Sequence, residues 1–103
     1  MSRFSLERNG NKVKLAIGAE LTVYCVPELR ELLCAIQEDG VLELVLDFAK
    51  TMFLDTAGIS LLFAARNSFS QEGRSLKLEC VQPSVFSLLE TLRLEKRLNA
   101  EMG

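Results

Sequence analysis

The sequence predicts a small α/β domain with a mixed sheet, and three features carry this prediction. Short segments in which apolar and polar residues alternate indicate strands, whereas segments with apolar residues three and four positions apart indicate helices. After an initial pair of strands the two kinds of segment alternate, as they do around parallel sheets. The 103 residues have the length of one domain, which we expect to span residues 1–103.

The N-terminal part predicts a β-hairpin. Apolar and polar residues alternate over 4–8 and again over 12–17, and Asn9-Gly10 lies between these two segments. An Asn-Gly pair favours a two-residue hairpin turn because both residue types tolerate a positive φ. We therefore predict two antiparallel strands with one solvated face.

The first predicted helix begins near Pro27 and ends before Gly40. Proline fits the first helical turn, where its missing N–H is not needed, and glycine is typical of the position just after a helix. Apolar residues at 29, 32, 33 and 36 share one face of this helix. The run that follows, at 41–48, is almost continuously apolar, which is typical of a central strand buried on both faces.

The C-terminal half repeats the alternation. A second helix is predicted to begin within two residues of Asp55, a strand to cover 76–80, and a third helix to begin at Pro83, while the tail from residue 94 gives no clear pattern. The predicted order is β-β-α-β-α-β-α, with four strands and three helices around a single core. We expect four leucines in this core: Leu44, Leu46, Leu62 and Leu78.

Composition and charge argue against several classes of function. The net charge is -2 at pH 7 with acids and bases mixed, so no basic field for nucleic acid is visible. The chain has no histidine, the usual general base and a common metal ligand. The three cysteines lack metal-site spacing. We therefore expect no enzymatic activity, no metal and no cofactor.

The chain also lacks sequence features of export and membrane insertion. No signal peptide is visible at its beginning, and no apolar run approaches the length that crosses a bilayer. We expect a cytoplasmic protein without direct membrane insertion.

The most informative motif is Asp55-Thr56-Ala57-Gly58, which follows the buried strand and a short loop. Asp55 is a good N-cap, because its carboxylate accepts from the free N–H groups of a first helical turn. Thr56 would then occupy the first helical position with its hydroxyl near solvent. Gly58 allows another backbone or a partner to approach closely.

This motif, the element order and several flanking segments make the chain resemble the STAS family, named for sulfate transporters and anti-sigma factor antagonists. The resemblance extends over essentially the whole chain and includes 20–24 and 27–29 before and within the first helix, 72–78 around the later strand, and 83–85 at the last helix. It implies a single STAS domain that acts as a protein-binding regulatory module.

In anti-sigma factor antagonists of this family, the hydroxyl residue after the aspartate is phosphorylated by a partner kinase that is also an anti-sigma factor. The resemblance therefore implies that Thr56 is the phosphoacceptor and that a serine/threonine-protein kinase or anti-sigma factor is the partner. The output would be signal transduction and transcription regulation. From the residues alone, the simpler interpretation of Thr56 is a helix-start residue whose hydroxyl bonds the backbone, and it is the resemblance that raises the phosphoacceptor role to an equal alternative.

Further residues are candidates for contact with a partner. Thr56, Ser60, Phe63 and Asn67 fall on one stripe of the second helix, and an exposed Phe63 would suggest a binding patch, although Phe63 packing inward is about equally consistent with the pattern. The loop before the first helix adds Glu20, Thr22 and Tyr24. With Asp55, Ala57 and Gly58 these complete the predicted partner-binding set.

An alternative function stays open at this point. The family's earlier loop usually has glycine and aspartate where Ala19 and Thr22 stand here. This loop is more similar to STAS proteins of chemotaxis-type gene clusters or of lipid-transport complexes. On that interpretation the chain is a constitutive subunit of a transporter or signalling assembly, with a transporter ATPase as a possible partner class, and Thr56 is a contact and not a switch.

Overall fold

The computed structural model describes residues 4–94 and 96–103, so residues 1–3 and 95 of the predicted domain lie outside the described residues. Within these ranges the chain forms strands and helices that we number in chain order. The strands are β1 (Ser5–Asn9), β2 (Lys12–Ala16), β3 (Glu20–Leu21), β4 (Glu43–Asp47), β5 (Phe53–Leu54), β6 (Ser75–Val81) and β7 (Ala100–Met102). The helices are α1 (Val26–Glu38), α2 (Thr56–Gln71) and α3 (Pro83–Thr91).

Five strands form the main sheet in the order β1-β2-β4-β6-β7. Strand β1 is antiparallel to β2, and the remaining neighbours are parallel, so the predicted mixed sheet is confirmed. The chain passes from β2 to β4 through α1, from β4 to β6 through α2, and from β6 to β7 through α3. These three crossover connections all step in the same direction across the sheet. Because such crossovers are almost always right-handed, they place all three helices on one face of the sheet.

The hairpin is confirmed, with its loop shifted by one residue. Asn9 is still paired, opposite Lys12, so the loop consists of Gly10 and Asn11. Gly10 has a φ of 62°, a left-handed conformation that glycine adopts without strain.

The core lies between the helices and the sheet. Leu44, Leu46, Leu62 and Leu78 are all fully buried, as predicted. Helix α1 contributes three residues of its predicted apolar face, which are Leu29, Leu33 and Ile36.

The opposite face of the sheet is charged. Lys14 lies 3.8 Å from both Asp47 and Glu79, and Lys77 lies 3.6 Å from Glu101. These pairs are half-exposed, so each stabilises the fold only weakly. Val45 at the centre of this face is nevertheless only 1% exposed and lies opposite Lys14 and Lys77 in the strand register. The prediction that β4 is buried on both faces is therefore confirmed at its centre.

The structure differs from the predicted element order in three places. Strands β3 and β5 form a separate two-stranded sheet. Helix α2 extends to Gln71, beyond the apolar segment at 57–65 from which the second helix was predicted, because Phe69 is fully buried on its inner face. The tail forms β7 at the edge of the main sheet and is anchored by the fully buried Leu98.

Candidate functional site

Two loops meet at the carboxyl end of the parallel strands. The loop after β2 contains β3 and the loop after β4 contains β5, and these short strands pair in parallel. Glu20 lies opposite Phe53, and Leu21 lies opposite Leu54. Because paired residues point to the same side of a sheet, the two leucines are buried together while Glu20 and Phe53 are both exposed.

Thr51 extends this connection towards the core. Its side chain is fully buried, and its hydroxyl donates a hydrogen bond of 2.9 Å to the backbone carbonyl of Gly18. Next to it, the backbone N–H of Met52 donates to the carbonyl of Ala19 at 2.8 Å. The two loops are therefore joined by backbone and side-chain bonds over several consecutive residues.

Asp55 joins three segments at the end of this connection. One carboxylate oxygen accepts from the N–H of Gly58 at 2.9 Å, which confirms the predicted N-cap of α2. The other oxygen accepts from the N–H of Val23 at 2.9 Å. The N–H of Asp55 itself donates to the carbonyl of Leu21 at 3.2 Å.

These bonds also set the acidity of Asp55. The N–H groups of Gly58 and then Val23 stabilise the ionised carboxylate, so they hold the pKa of Asp55 below its ordinary value. The group is therefore a fixed negative charge at neutral pH.

Gly58 is required by the close approach of Leu21. A Cβ atom at position 58 would overlap the backbone carbonyl oxygen of Leu21 and lie 3.0 Å from its Cγ. The glycine therefore allows helix α2 to pack against β3. It is buried, so its close contact is with this chain and not with a partner.

Thr56 is the first residue of α2, and it is exposed. Among the described residues its hydroxyl forms no hydrogen bond, in contrast to the side chain of Asp55 beside it. The hydroxyl is therefore displayed to solvent from a position that Asp55 fixes.

The other predicted contact residues divide into two groups. Glu20, Tyr24 and Ser60 are exposed, and Ala57 is half-buried. Phe63, in contrast, is partly buried and packs against the core. Of the two alternatives left open by the sequence, exposed or packed inward, the structure therefore shows the inward one. The prediction of an exposed aromatic at this position is corrected accordingly.

Thr22 is also removed from the predicted contact set, because only 8% of its surface is exposed. Its carbonyl accepts from the N–H groups of Cys25 at 2.8 Å and Val26 at 3.2 Å. Thr22 therefore shapes the turn that leads into α1.

The sequence analysis predicted Tyr24 as a contact residue but missed three further exposed apolar side chains in the loops that precede α1 and α2. Val23 and Phe53 are each 54% exposed, Met52 is 61% exposed and Tyr24 is 82% exposed. We use the term loop surface for Glu20, Val23, Tyr24, Met52, Phe53 and Thr56. The signal that was available is the apolar pair Met52-Phe53, which precedes Asp55 in a loop and not in a strand of the main sheet.

Two further properties bear on the site. Within residues 4–94 and 96–103, no group of three histidine, cysteine or acidic side chains is placed to hold a metal ion. In the same ranges, no helix is long and apolar enough to cross a membrane.

The fold, with its helices on one face of a mixed sheet, and the helix that starts at Asp-Thr-Ala-Gly both agree with the predicted class of protein, the STAS domain proteins. The sequence profile of the STAS domain family matches residues 3–102, and the chain belongs to this family.

Its relatives narrow this assignment. The chain is 26% identical over 90 residues to the anti-sigma-B factor antagonist of Staphylococcus aureus strain NCTC 8325. The aligned region covers 87% of this chain and 83% of that relative. This similarity indicates a regulatory STAS protein.

Two solved structures share the fold. The anti-sigma factor antagonist SpoIIAA in its unphosphorylated form superposes with a TM-score of 0.82 at 20% identity, covering 97% of this chain and 87% of that one. The Bacillus cell fate determinant SpoIIAA in the phosphorylated form gives a TM-score of 0.76 at 19% identity, and the superposition covers 97% of this chain and 90% of that one.

Proposed function

We propose that the protein is a non-enzymatic binding module of the anti-sigma factor antagonist type, switched by phosphorylation of Thr56. The observation that carries this proposal is the exposed Thr56 hydroxyl at the start of α2, next to the anchored carboxylate of Asp55. Support comes from the similarity to an anti-sigma-B factor antagonist and from a fold shared with a protein solved in both unphosphorylated and phosphorylated forms.

The geometry is suited to a phosphoryl group. A phosphate on Thr56 would lie at the N-terminus of a 16-residue helix, where the helix dipole favours negative charge. The fold would therefore tolerate the modification. At the same time the phosphate would add a charge of about -1.5 to -2 beside Asp55.

A phosphate on Thr56 would change how the loop surface binds a partner. The exposed apolar side chains of this surface would bury against a partner, which in this proposal is a serine/threonine-protein kinase that doubles as an anti-sigma factor. A phosphate at the edge of such an interface would have to be desolvated without a matching cation, and binding would weaken. The protein would act in the cytoplasm, where such kinases are found.

The modification is tested by incubating the purified protein with ATP and an extract of the cells that produce it, and then measuring the intact mass. We expect one phosphoryl group on the wild type and on Thr56→Ser, and none on Thr56→Ala. Ser60→Ala is the matched control, because Ser60 is an exposed hydroxyl one turn further along α2. Equal phosphorylation of Thr56→Ala and wild type would refute Thr56 as the acceptor.

A second candidate is a constitutive subunit of a transporter or chemotaxis-type assembly, with a transporter ATPase as one partner class. It rests on the same exposed apolar side chains, Tyr24, Met52 and Phe53, since exposed apolar patches mark protein interaction sites, but it gives the charge at Thr56 no role. In that case the partner would remain bound whether or not Thr56 carried a charge. The two candidates therefore differ in the response of binding to Thr56→Glu.

A further inference from the structure

A cavity lies between α1 and α2 and shares no residue with the loop surface. Its volume is about 150 Å³. The wall from α1 includes Arg30, Leu33 and Cys34, and the wall from α2 includes Leu61, Ala65 and Phe69.

The interior of this cavity is apolar. Leu33 and Leu61 are 5% and 6% exposed, and Phe69 is fully buried. An apolar cavity of about this volume holds one benzene ring in another protein. Unlike that enclosed cavity, this one is open to solvent on the side of the exposed residues Arg30, Cys34 and Ala64. It has the volume for an apolar group of roughly six carbon atoms, which it would cover on its inner side only.

One end of the cavity carries an unpaired positive charge. Arg30 lines the cavity and is exposed, and in the part of the chain that the structure describes it forms no ion pair. Its guanidinium is therefore available to a carboxylate, whose two oxygens match its planar fork of donors.

The other end has the opposite character. Gln37 forms a hydrogen bond of 2.8 Å with Ser68 and a second bond with Glu72, so its polar groups are already satisfied. The adjoining cleft is lined by Glu38 and Glu72. Glu72 is paired with Arg74 at 3.3 Å, and Arg74 also donates to the backbone carbonyl of Gln37 at 2.6 Å, so the cation at this end is already engaged. Glu38 forms no ion pair among the described residues and would repel an anion. An anionic ligand would consequently place its charged group near Arg30 and its apolar body between the helices.

We propose that this cavity binds a small monocarboxylate with an aryl or short alkyl body. The apolar walls would hold the body, and Arg30 would select the negative charge. The site is separate from Thr56 and does not depend on the function proposed above.

Three probes of matched shape test the proposal by protein-observed NMR: benzoate, benzyl alcohol and benzylamine. A ligand of this size binds with roughly millimolar affinity. We expect benzoate to shift the methyl signals of Leu33 and Leu61 and to bind about threefold more tightly than benzyl alcohol, the factor that a partly exposed ion pair provides. Benzylamine, a cation at neutral pH, should bind more weakly than either. Equal binding of all three probes, or shifts confined to other residues, would overturn the proposal.

Two substitutions test separately how the charge of Arg30 and the space in the cavity contribute to ligand binding. Arg30→Gln should remove the preference for benzoate over benzyl alcohol while both still bind. Ala64→Leu should reduce the binding of both probes several-fold, since Ala64 also lines the cavity and its exposed position accepts a larger side chain without disturbing the core. Arg66→Gln is the control, because Arg66 lies on α2 outside the cavity lining. The proposal fails if Arg30→Gln keeps the preference for benzoate, or if Ala64→Leu binds benzoate as wild type does.

Discussion

The carboxylate of Asp55 accepts a hydrogen bond of 2.9 Å from the backbone N–H of Val23, 32 positions earlier in the chain. Its second oxygen caps α2 through Gly58. One side chain therefore fixes both the helix that begins with Thr56 and the loop that displays Val23 and Tyr24. The loop surface is built on this double contact.

Asp55→Asn should lower stability at neutral pH, because the amide offers one acceptor oxygen while its NH₂ group faces a backbone donor. The pKa of Asp55 is lowered in the folded protein, so its contribution to stability is present above the unfolded value of 3.8 and is lost as the pH falls below it. Urea denaturation at pH 7 should show a lower midpoint for Asp55→Asn than for wild type, and the difference should shrink below about pH 3.8. A difference that is the same at both pH values would contradict the assigned bonds.

Gly58→Ala should destabilise the protein, although the same change at an open helical position stabilises it by up to about 1 kcal/mol. The new methyl group would overlap the backbone carbonyl of Leu21, which cannot rotate away. We expect a loss of about 1–3 kcal/mol in the free energy of unfolding, as for other overpacked sites. Ser60→Ala, an exposed change on the same helix, should stay within about 0.5 kcal/mol. A stabilising Gly58→Ala would show that helix propensity outweighs the contact.

Thr51→Val should also reduce the free energy of unfolding. Valine keeps the shape but leaves the Gly18 carbonyl without the hydroxyl donor that it has at 2.9 Å. The expected loss is about 1–3 kcal/mol, the cost of a buried polar group without its partner. Thr51→Ser is the matched control, since it retains the hydroxyl and removes only a methyl group. Thermal unfolding should therefore give a higher midpoint for Thr51→Ser than for Thr51→Val.

The three helices and four of the five strands of the main sheet could be predicted because their signals are local, whereas the tail gave no pattern from which β7 could be predicted. The alternation around the hairpin, the apolar run of β4 and the apolar spacing of α1 each follow from burial against a single core. The N-cap at Asp55 was predictable for the same reason, because it involves only the adjacent helical turn.

Only part of the loop surface was predicted: Glu20, Tyr24 and Thr56 were in the predicted contact set, whereas the exposure of its other apolar residues depends on long-range contacts. Strands β3 and β5 have two residues each, too few for a recognisable alternation. The exposure of Phe53 depends on its register opposite Glu20, and the burial of Thr22 depends on the turn into α1. Phe63 was ambiguous because a helical stripe does not show how far the core extends around the helix.

Thr56→Ala should leave the fold almost unchanged. The Thr56 hydroxyl is exposed, and Asp55 remains as the cap. The free energy of unfolding should change by no more than about 1 kcal/mol, and Asp55→Ala should cost more, since it removes the cap and the bond to Val23. Urea denaturation of both variants checks the order. A larger loss for Thr56→Ala would show that the threonine is a structural residue and would weaken its assignment as an acceptor.

The switch itself is tested by binding of the purified partner kinase or anti-sigma factor in titration calorimetry. Thr56→Glu should keep the fold, since an acid is favourable in the first turn of a helix. It should weaken the complex by about 1–3 kcal/mol by leaving an unpaired charge in the interface, whereas Thr56→Ala should bind nearly as wild type does.

Two phenylalanines provide the matched comparison for that experiment. Phe53 is 54% exposed beside Thr56, so Phe53→Ala should weaken binding by more than about 1 kcal/mol, as for an interface anchor, with little change in stability. Phe63 packs against the core, so Phe63→Ala should instead lower the free energy of unfolding. Wild-type affinity for Thr56→Glu together with weakened binding for Phe53→Ala would favour the constitutive assembly subunit, because the same surface would then bind without a charge switch. Wild-type affinity for both variants would place the partner on another face of the domain.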